Sequence, residues 1–177
     1  APNMATMLAY ALTDAPIDSR DLKTLWKRCI DGSFNSVIVD GDTSTNDTAI
    51  ICASGQGNPL QGEDLKAFEI VLLQTCQEAA VQLVEDGEGA RCVVELNVCG
   101  AQTRDDAHTI AQTIALSPLC KTAFFGADPN WGRIIAAAGR SSVLFNPDKI
   151  RLTLHHNDES IVLFESGIPL EFNKAKA

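Results

Sequence analysis

The apolar positions of this chain fall into blocks of two periods, separated by short polar runs. Met4 to Thr13 is a largely apolar run that reads as a buried strand. In "IDSRDLKTLWKRCIDG", Leu22, Leu25, Trp26, Cys29 and Ile30 recur at helical spacing, with Asp18 or Ser19 as N-cap and Gly32 as the stop. "SVIVDG" and "TAIICASG" are short runs rich in Val and Ile, predicted as buried strands joined by the polar "DGDTSTND". The longest helix is predicted over "GEDLKAFEIVLLQTCQEAAVQLVEDG". Its buried stripe is Leu65, Phe68, Leu72, Cys76, Ala79, Ala80 and Leu83, and Glu63 and Asp64 suit its positive N-terminal end. "RCVVELNVCGA" reads as a strand closed by Gly100, and "RDDAHTIAQTIALS" as a helix with Ala107, Ile110, Ala111 and Ile114 inward. "LCKTAFFGAD" reads as a further strand, and "PNWGRIIAAAG" as a short helix with Pro129 near its first turn. "KIRLTLHH" and "SIVLFESG" form a hairpin across "NDE".

The resulting order is β-α-β-β-α-β-α-β-α-β-β, an α/β or α+β arrangement with mixed sheets and no solenoid repeat. A boundary near "EDGEGA" divides residues 1–89 from a C-terminal α/β part, residues 90–177. The sequence begins with Ala, which predicts processing or a fragment of a longer chain; no signal peptide is expected, and "KAKA" reads as a frayed or cut tail.

Charge removes several function classes. Fourteen Lys and Arg against 23 Asp and Glu give a net charge of −9, without the basic footprint of a nucleic-acid binder or a polybasic membrane anchor. No run is long enough for a membrane span. The six cysteines form no CxxC pair and mostly sit inside apolar runs, so buried free thiols of a reducing cytoplasm are expected. His108, His155 and His156 do not join them at metal-ligand spacing, so no metal site is expected.

Three polar clusters interrupt the apolar scaffold. Gly41 to Asp47 is dense in small hydroxyls and carboxylates, the composition of a loop whose side chains satisfy its own backbone. It lacks the Gly-Lys-Ser/Thr of a phosphate-binding loop. Gly126 to Arg133 places glycines around Trp131 at the start of a helix. That is either an anion site at a helix N-terminus or a tight turn with Arg133 paired to an acid such as Asp128. Pro2 to Thr6 ends on a threonine preceded by the small residue Ala5. A threonine becomes a nucleophile when cleavage frees its own α-amine to act as general base, and a small preceding residue lets the backbone bend for that cleavage. A threonine opening a strand is also commonly just a strand residue.

Together these segments resemble one family. "APNMATML", "FNSVIVDGDTSTNDTAI", "EDGEGA" followed by "VELNVCGA", and "LSPLCKTAFFGADPNWGRIIAAAG" are similar, in the same order, to the ornithine acetyltransferases, or glutamate N-acetyltransferases, of arginine biosynthesis. The resemblance implies a layered architecture like that of N-terminal-nucleophile hydrolases, completed by an α chain absent from this sequence. It implies a precursor that cuts itself between Ala5 and Thr6, leaving Thr6 as the first residue of a β chain. Thr6 would take the acetyl group from N2-acetyl-L-ornithine, release ornithine, and pass the acetyl group to L-glutamate in a ping-pong reaction. Glu88 in "DGEGA" would bind substrate. The resemblance further implies a cytoplasmic α2β2 assembly and no cofactor, with acetyl-CoA a substrate for some members. Two alternatives stand beside it: an aminopeptidase or amidohydrolase that uses a self-generated N-terminal nucleophile, and an uncleaved, inactive relative, suggested by the residues that precede Thr6.

Overall fold

The computed structural model describes residues 7–173. Among them the chain is a mixed α/β protein that divides into two compact units, one ending at Val93 and the other beginning at Val94.

The first unit is built on a β-α-β crossover. β1 (Leu8–Thr13) leads through α1 (Ser19–Asp31) to β2 (Thr48–Ala53), which pairs parallel to β1 with Leu8 opposite Thr48 and Thr13 opposite Ala53. Parallel neighbours need such a crossover, because a tight turn cannot bring the chain back in the same direction. α1 starts where Asp18 caps it, its side chain accepting a 2.9 Å hydrogen bond from the Arg20 N–H. It stops at Gly32, as the pattern predicts. α2 (Gly62–Glu85) packs against α1 around buried Leu25, Cys29 and Cys76, with Trp26, Phe68 and Leu72 at the margin. The predicted stripe of α2 holds over Leu65, Phe68, Leu72, Cys76 and Ala80, whereas Ala79 and Leu83 are exposed. The Trp26 indole N–H reaches the Ala49 carbonyl at 3.1 Å and ties α1 to β2.

Arg28 grips Glu69 across the two helices with a fork of two bonds, Nε–Oε1 at 2.5 Å and Nη2–Oε2 at 2.7 Å. The hydrogen bond from Arg28, and then its charge, hold the Glu69 carboxyl below its usual range despite some desolvation. A depressed carboxyl stabilises the fold above its ordinary value of 4.5 and loses that contribution as pH falls through the folded value. Glu69→Gln is therefore expected to flatten the acid-side fall of the assembled protein's thermal midpoint below about pH 4.5. The effect should be small, because the pair is solvent-exposed. Thermal scans from neutral to acid pH check this, and equal slopes for parent and variant would show that the pair adds nothing.

In the second unit, α3 (Arg104–Ala115), α4 (Pro118–Phe125) and α5 (Trp131–Gly139) surround a small core of Ile114, Cys120, Ile134, Ala137 and Ala138. β3 (Arg151–His156) and β4 (Glu159–Glu165) form the predicted hairpin around Asn157, which takes φ +51°, a value asparagine tolerates. β4 turns again through Ser166 and Gly167, both at positive φ, into the two-residue strand β5 (Ile168–Pro169).

Three predicted strands are not strands. "LCKTAFFGAD" is helical: Ser117 caps α4 by accepting from the Cys120 N–H, and Pro118 follows at the first helical position. A short apolar run cannot by itself distinguish a buried strand from a buried helix. Here the Ser-Pro start decides for helix. α4 ends in a Schellman motif, with Asp128 N–H bonded to the Ala123 carbonyl, Ala127 N–H to that of Phe124, and Ala127 at φ +48°. "SVIVDG" follows a 3₁₀ turn at Phe34–Ser36 and leaves Val39 exposed. "RCVVELNVCGA" is neither helix nor strand, and Val93 and Val94 are exposed. Both segments have strand-like side chains, but a strand also needs a neighbouring ladder, and neither enters one among the described residues.

The expectation that both β1 and β2 are buried holds for one face only. Ala9, Ala11 and Thr13 of β1 are partly covered, while Leu8, Tyr10 and Leu12 stand 54%, 66% and 82% exposed. A two-stranded sheet has a second face, and the first unit leaves it largely uncovered. The cysteines divide in the same way: none is in a disulfide among the described residues, with Cys29, Cys76 and Cys120 buried and Cys52, Cys92 and Cys99 exposed.

Candidate active site

Ala5 and Thr6, the expected scissile pair and nucleophile, lie outside the described residues, so the geometry of this region begins at Met7. The backbone N–H of Met7 belongs to the peptide bond that joins it to Thr6, and two consecutive residues before and at the start of β2 grip Met7. Its N–H donates to Asp47 Oδ1 at 2.8 Å, and its carbonyl accepts from the Thr48 N–H at 2.8 Å.

The loop that presents Asp47 is internally bonded as its composition predicts. Asp42 N–H donates to Asp40 Oδ1 at 2.8 Å, Asn46 N–H to Ser44 Oγ at 3.2 Å, and the Thr48 hydroxyl to the Asn46 carbonyl at 3.0 Å. Asx and Ser turns of this kind spare the loop from needing a packed core of its own. Sequence reasoning treated the loop only as a turn and missed the contact of Asp47 with Met7. The pairing of β1 with β2 is the signal that places them together.

Glu88 sits in the tight turn that follows α2. Ala90 N–H bonds the Gly87 carbonyl at 2.9 Å, and Gly89 takes φ +73° at the third position. A type II turn needs positive φ there, which glycine adopts without a side-chain clash. Glu88 itself is exposed.

The cluster around Trp131 is a structural junction. Asn130 caps α5, its Oδ1 accepting from the Arg133 N–H at 3.2 Å while its Nδ2 donates to Asp128 Oδ2 at 2.9 Å. Arg133 does not pair with Asp128 as predicted. Its Nη1 donates to the Leu119 carbonyl and the Thr122 hydroxyl, each at 3.0 Å, and so fastens α5 to α4. Most of the predicted strand at 119–128 is the helix α4, which places the Leu119 carbonyl and the Thr122 hydroxyl, three residues apart, on one face within reach of Arg133. Trp131 stacks on Phe164 with ring centroids 5.4 Å apart.

No other described cluster competes as a reactive centre. Burial, and then the neighbouring Cys76, push the Cys29 thiol up to about 11, and burial raises Cys76 as well. Both therefore stay protonated at neutral pH and are poor nucleophiles. Among the described residues no group of His, Cys, Asp and Glu is placed to hold a metal ion, and no helix is long and apolar enough to cross a membrane.

Comparison with known proteins gives one consistent answer. The ArgJ family model matches residues 1–177. The arginine biosynthesis bifunctional protein ArgJ 1 of Nostoc sp. is 44% identical over 99% of this chain and 43% of its own length. The glutamate N-acetyltransferase of Methanocaldococcus jannaschii is 45% identical over 96% of this chain and 43% of its own. The chain thus spans less than half the length of these curated relatives. The crystal structure of the arginine biosynthesis bifunctional protein ArgJ from Bacillus halodurans superposes with a TM-score of 0.87 at 37% identity, covering 96% of this chain and 80% of that one. The likeness of the four sequence segments to the acetyltransferases of arginine biosynthesis and the match along the whole chain agree: this chain belongs to the ArgJ family.

Proposed function

We propose that this chain is the C-terminal part of an acyltransferase that moves an acetyl group from N2-acetyl-L-ornithine to L-glutamate, with Thr6 as nucleophile. The observation that carries the reading is the family match over residues 1–177, which includes the "APNMATML" segment. Self-cleavage at Ala5–Thr6 would free the Thr6 amine to act as base for its own hydroxyl. An acetyl-threonine ester then divides one amide exchange into two acyl transfers and needs no cofactor. Glu88 supplies a carboxylate for the cationic amine of the ornithine substrate. The exposed apolar face of Leu8, Tyr10 and Leu12 is covered by the α chain from the same precursor, in an α2β2 assembly. Six cysteines with no disulfide among the described residues suit a reducing cytoplasm. Acetyl-CoA enters, if used, as an alternative acetyl donor to the same hydroxyl.

The test uses the protein made from the complete precursor. Intact mass is expected to show a chain beginning at Thr6. Incubation with N2-acetyl-L-ornithine and L-glutamate is expected to yield ornithine and N-acetyl-L-glutamate in equal amounts. Release of acetate without dependence on glutamate would replace the transferase with a hydrolase and overturn the proposal.

A further inference from the structure

We infer that Asp47 is a positioning residue for Thr6, acting through the peptide bond that follows the nucleophile; the inference rests on the function proposed above. In the parallel register that sets Leu8 opposite Thr48, the Met7 carbonyl takes its ladder bond from the Thr48 N–H. The same ladder would send the Met7 N–H to the Asn46 carbonyl. That bond is replaced. The Met7 N–H goes to Asp47 Oδ1 at 2.8 Å, and the Asn46 carbonyl accepts from the Thr48 hydroxyl instead. A side-chain carboxylate thus stands where a backbone carbonyl would begin the strand.

The replacement matters because of which peptide unit it holds. The Met7 N–H, the Thr6 carbonyl and the Thr6 α-carbon belong to one planar group. Holding the Met7 N–H restrains how this peptide unit can turn, and the Thr6 α-carbon is part of that unit. A carboxylate is a stronger acceptor than a peptide carbonyl, so this is a firmer hold than an ordinary ladder bond. The loop behind Asp47 is itself held by Asp47 N–H to the Ser44 carbonyl at 3.4 Å and Asn46 N–H to Ser44 Oγ at 3.2 Å. Both steps asked of Thr6, attack on the Ala5 carbonyl and attack on an acetyl carbonyl, depend on where its hydroxyl starts. A displacement of about 1 Å at such a point costs on the order of 100-fold in rate.

The experiment compares three variants of the full precursor, each assayed for self-cleavage rate, kinetics per cleaved molecule and thermal midpoint. Asp47→Ala is expected to slow self-cleavage and lower kcat by about 10- to 100-fold, with KM held, the pattern of an interaction needed at the transition state. Asp47→Asn keeps an oxygen acceptor in place and is expected to stay within about tenfold of the parent, since a neutral bond is roughly half as strong. Asp40→Ala removes a similar bond within the same loop and is expected to cleave and turn over like the parent. Three results would overturn the inference: parental kcat in Asp47→Ala, with or without a lower thermal midpoint; an Asp47→Asn variant as slow as Asp47→Ala; or an equal loss in Asp40→Ala, which would make loop integrity the cause. A parent protein that neither cleaves nor transfers acetyl would count against the proposed function, and would be visible before any variant is compared.

Discussion

Replacing Thr6 with alanine is expected to abolish both self-cleavage and acetyl transfer. The two losses share one cause. In the proposed mechanism the hydroxyl that attacks the Ala5 carbonyl is the one that later carries the acetyl group, and Thr6→Ala removes it from both reactions. Where a nucleophile has been deleted from an acyl-transfer enzyme, kcat falls on the order of a millionfold. The uncleaved variant should run as a single precursor, with no chain beginning at residue 6 by intact mass. A second measurement separates processing from catalysis: supplying the C-terminal chain already cut, so that it begins at position 6, bypasses self-cleavage. Thr6 in that chain should transfer acetyl, and Thr6→Ala in the same chain should not. Thr6→Ser keeps the hydroxyl and should retain cleavage and transfer at reduced rates. Robust turnover by Thr6→Ala in either form would remove the threonine from the mechanism.

The helices were legible because their signals are local. α1 announces its start by the Asp18 cap and its stop by Gly32, and its buried positions Leu25 and Cys29 fall on the predicted face. α2 and α3 are long enough for the 3.6-residue period to speak for itself. The strands were less legible because half of a strand's identity lies in its partner. "RCVVELNVCGA" and "SVIVDG" have strand-like side chains and yet join no ladder among the described residues, and the sequence of a single segment cannot show whether a neighbour is in place. The error at "LCKTAFFGAD" was different. Ser117 and Pro118, directly before it, are a helix start, and that local signal outweighs the strand-like apolar run that follows.

The candidate site divides along the same line. The bonding within "DGDTSTND" followed from its composition, because Asp, Ser and Asn side chains reach backbone only two or three residues away. The bond from Met7 to Asp47 spans 40 positions and depended on the register of β1 with β2, which no periodicity encodes. The Arg133 contacts failed for a related reason. An acid five residues upstream seemed the natural partner, but the carbonyl of Leu119 and the hydroxyl of Thr122 are better placed once α4 is a helix. The roles proposed for Thr6 and Glu88 rest on likeness to a family, since the residues alone favour a strand residue for Thr6 and a solvated turn residue for Glu88.

Glu88→Gln is expected to lower kcat/KM for N2-acetyl-L-ornithine by about 10- to 150-fold, the range for losing a hydrogen bond to a charged group worth about 1.5–3 kcal/mol. Stability should change by no more than about 0.5 kcal/mol, because an exposed turn residue is being altered. The turn itself is kept by Gly89 at φ +73° and the Ala90-to-Gly87 bond, neither of which uses the Glu88 side chain. This separation makes the variant informative: a loss of activity without a loss of stability assigns the carboxylate to substrate. The half-reactions sharpen it further. In the proposed role, the ornithine substrate ends its side chain in a cationic amine where glutamate ends its own in a carboxylate, so the charge of Glu88 would favour the first and oppose the second. Glu88→Gln should therefore raise KM for the ornithine substrate and leave KM for glutamate unchanged or lower. Self-cleavage should proceed at the parental rate, since no substrate is bound then. Steady-state kinetics with each substrate varied in turn decides the matter. Unchanged KM for the ornithine substrate would return Glu88 to the role its exposure alone suggests, a solvated residue at the end of a helix.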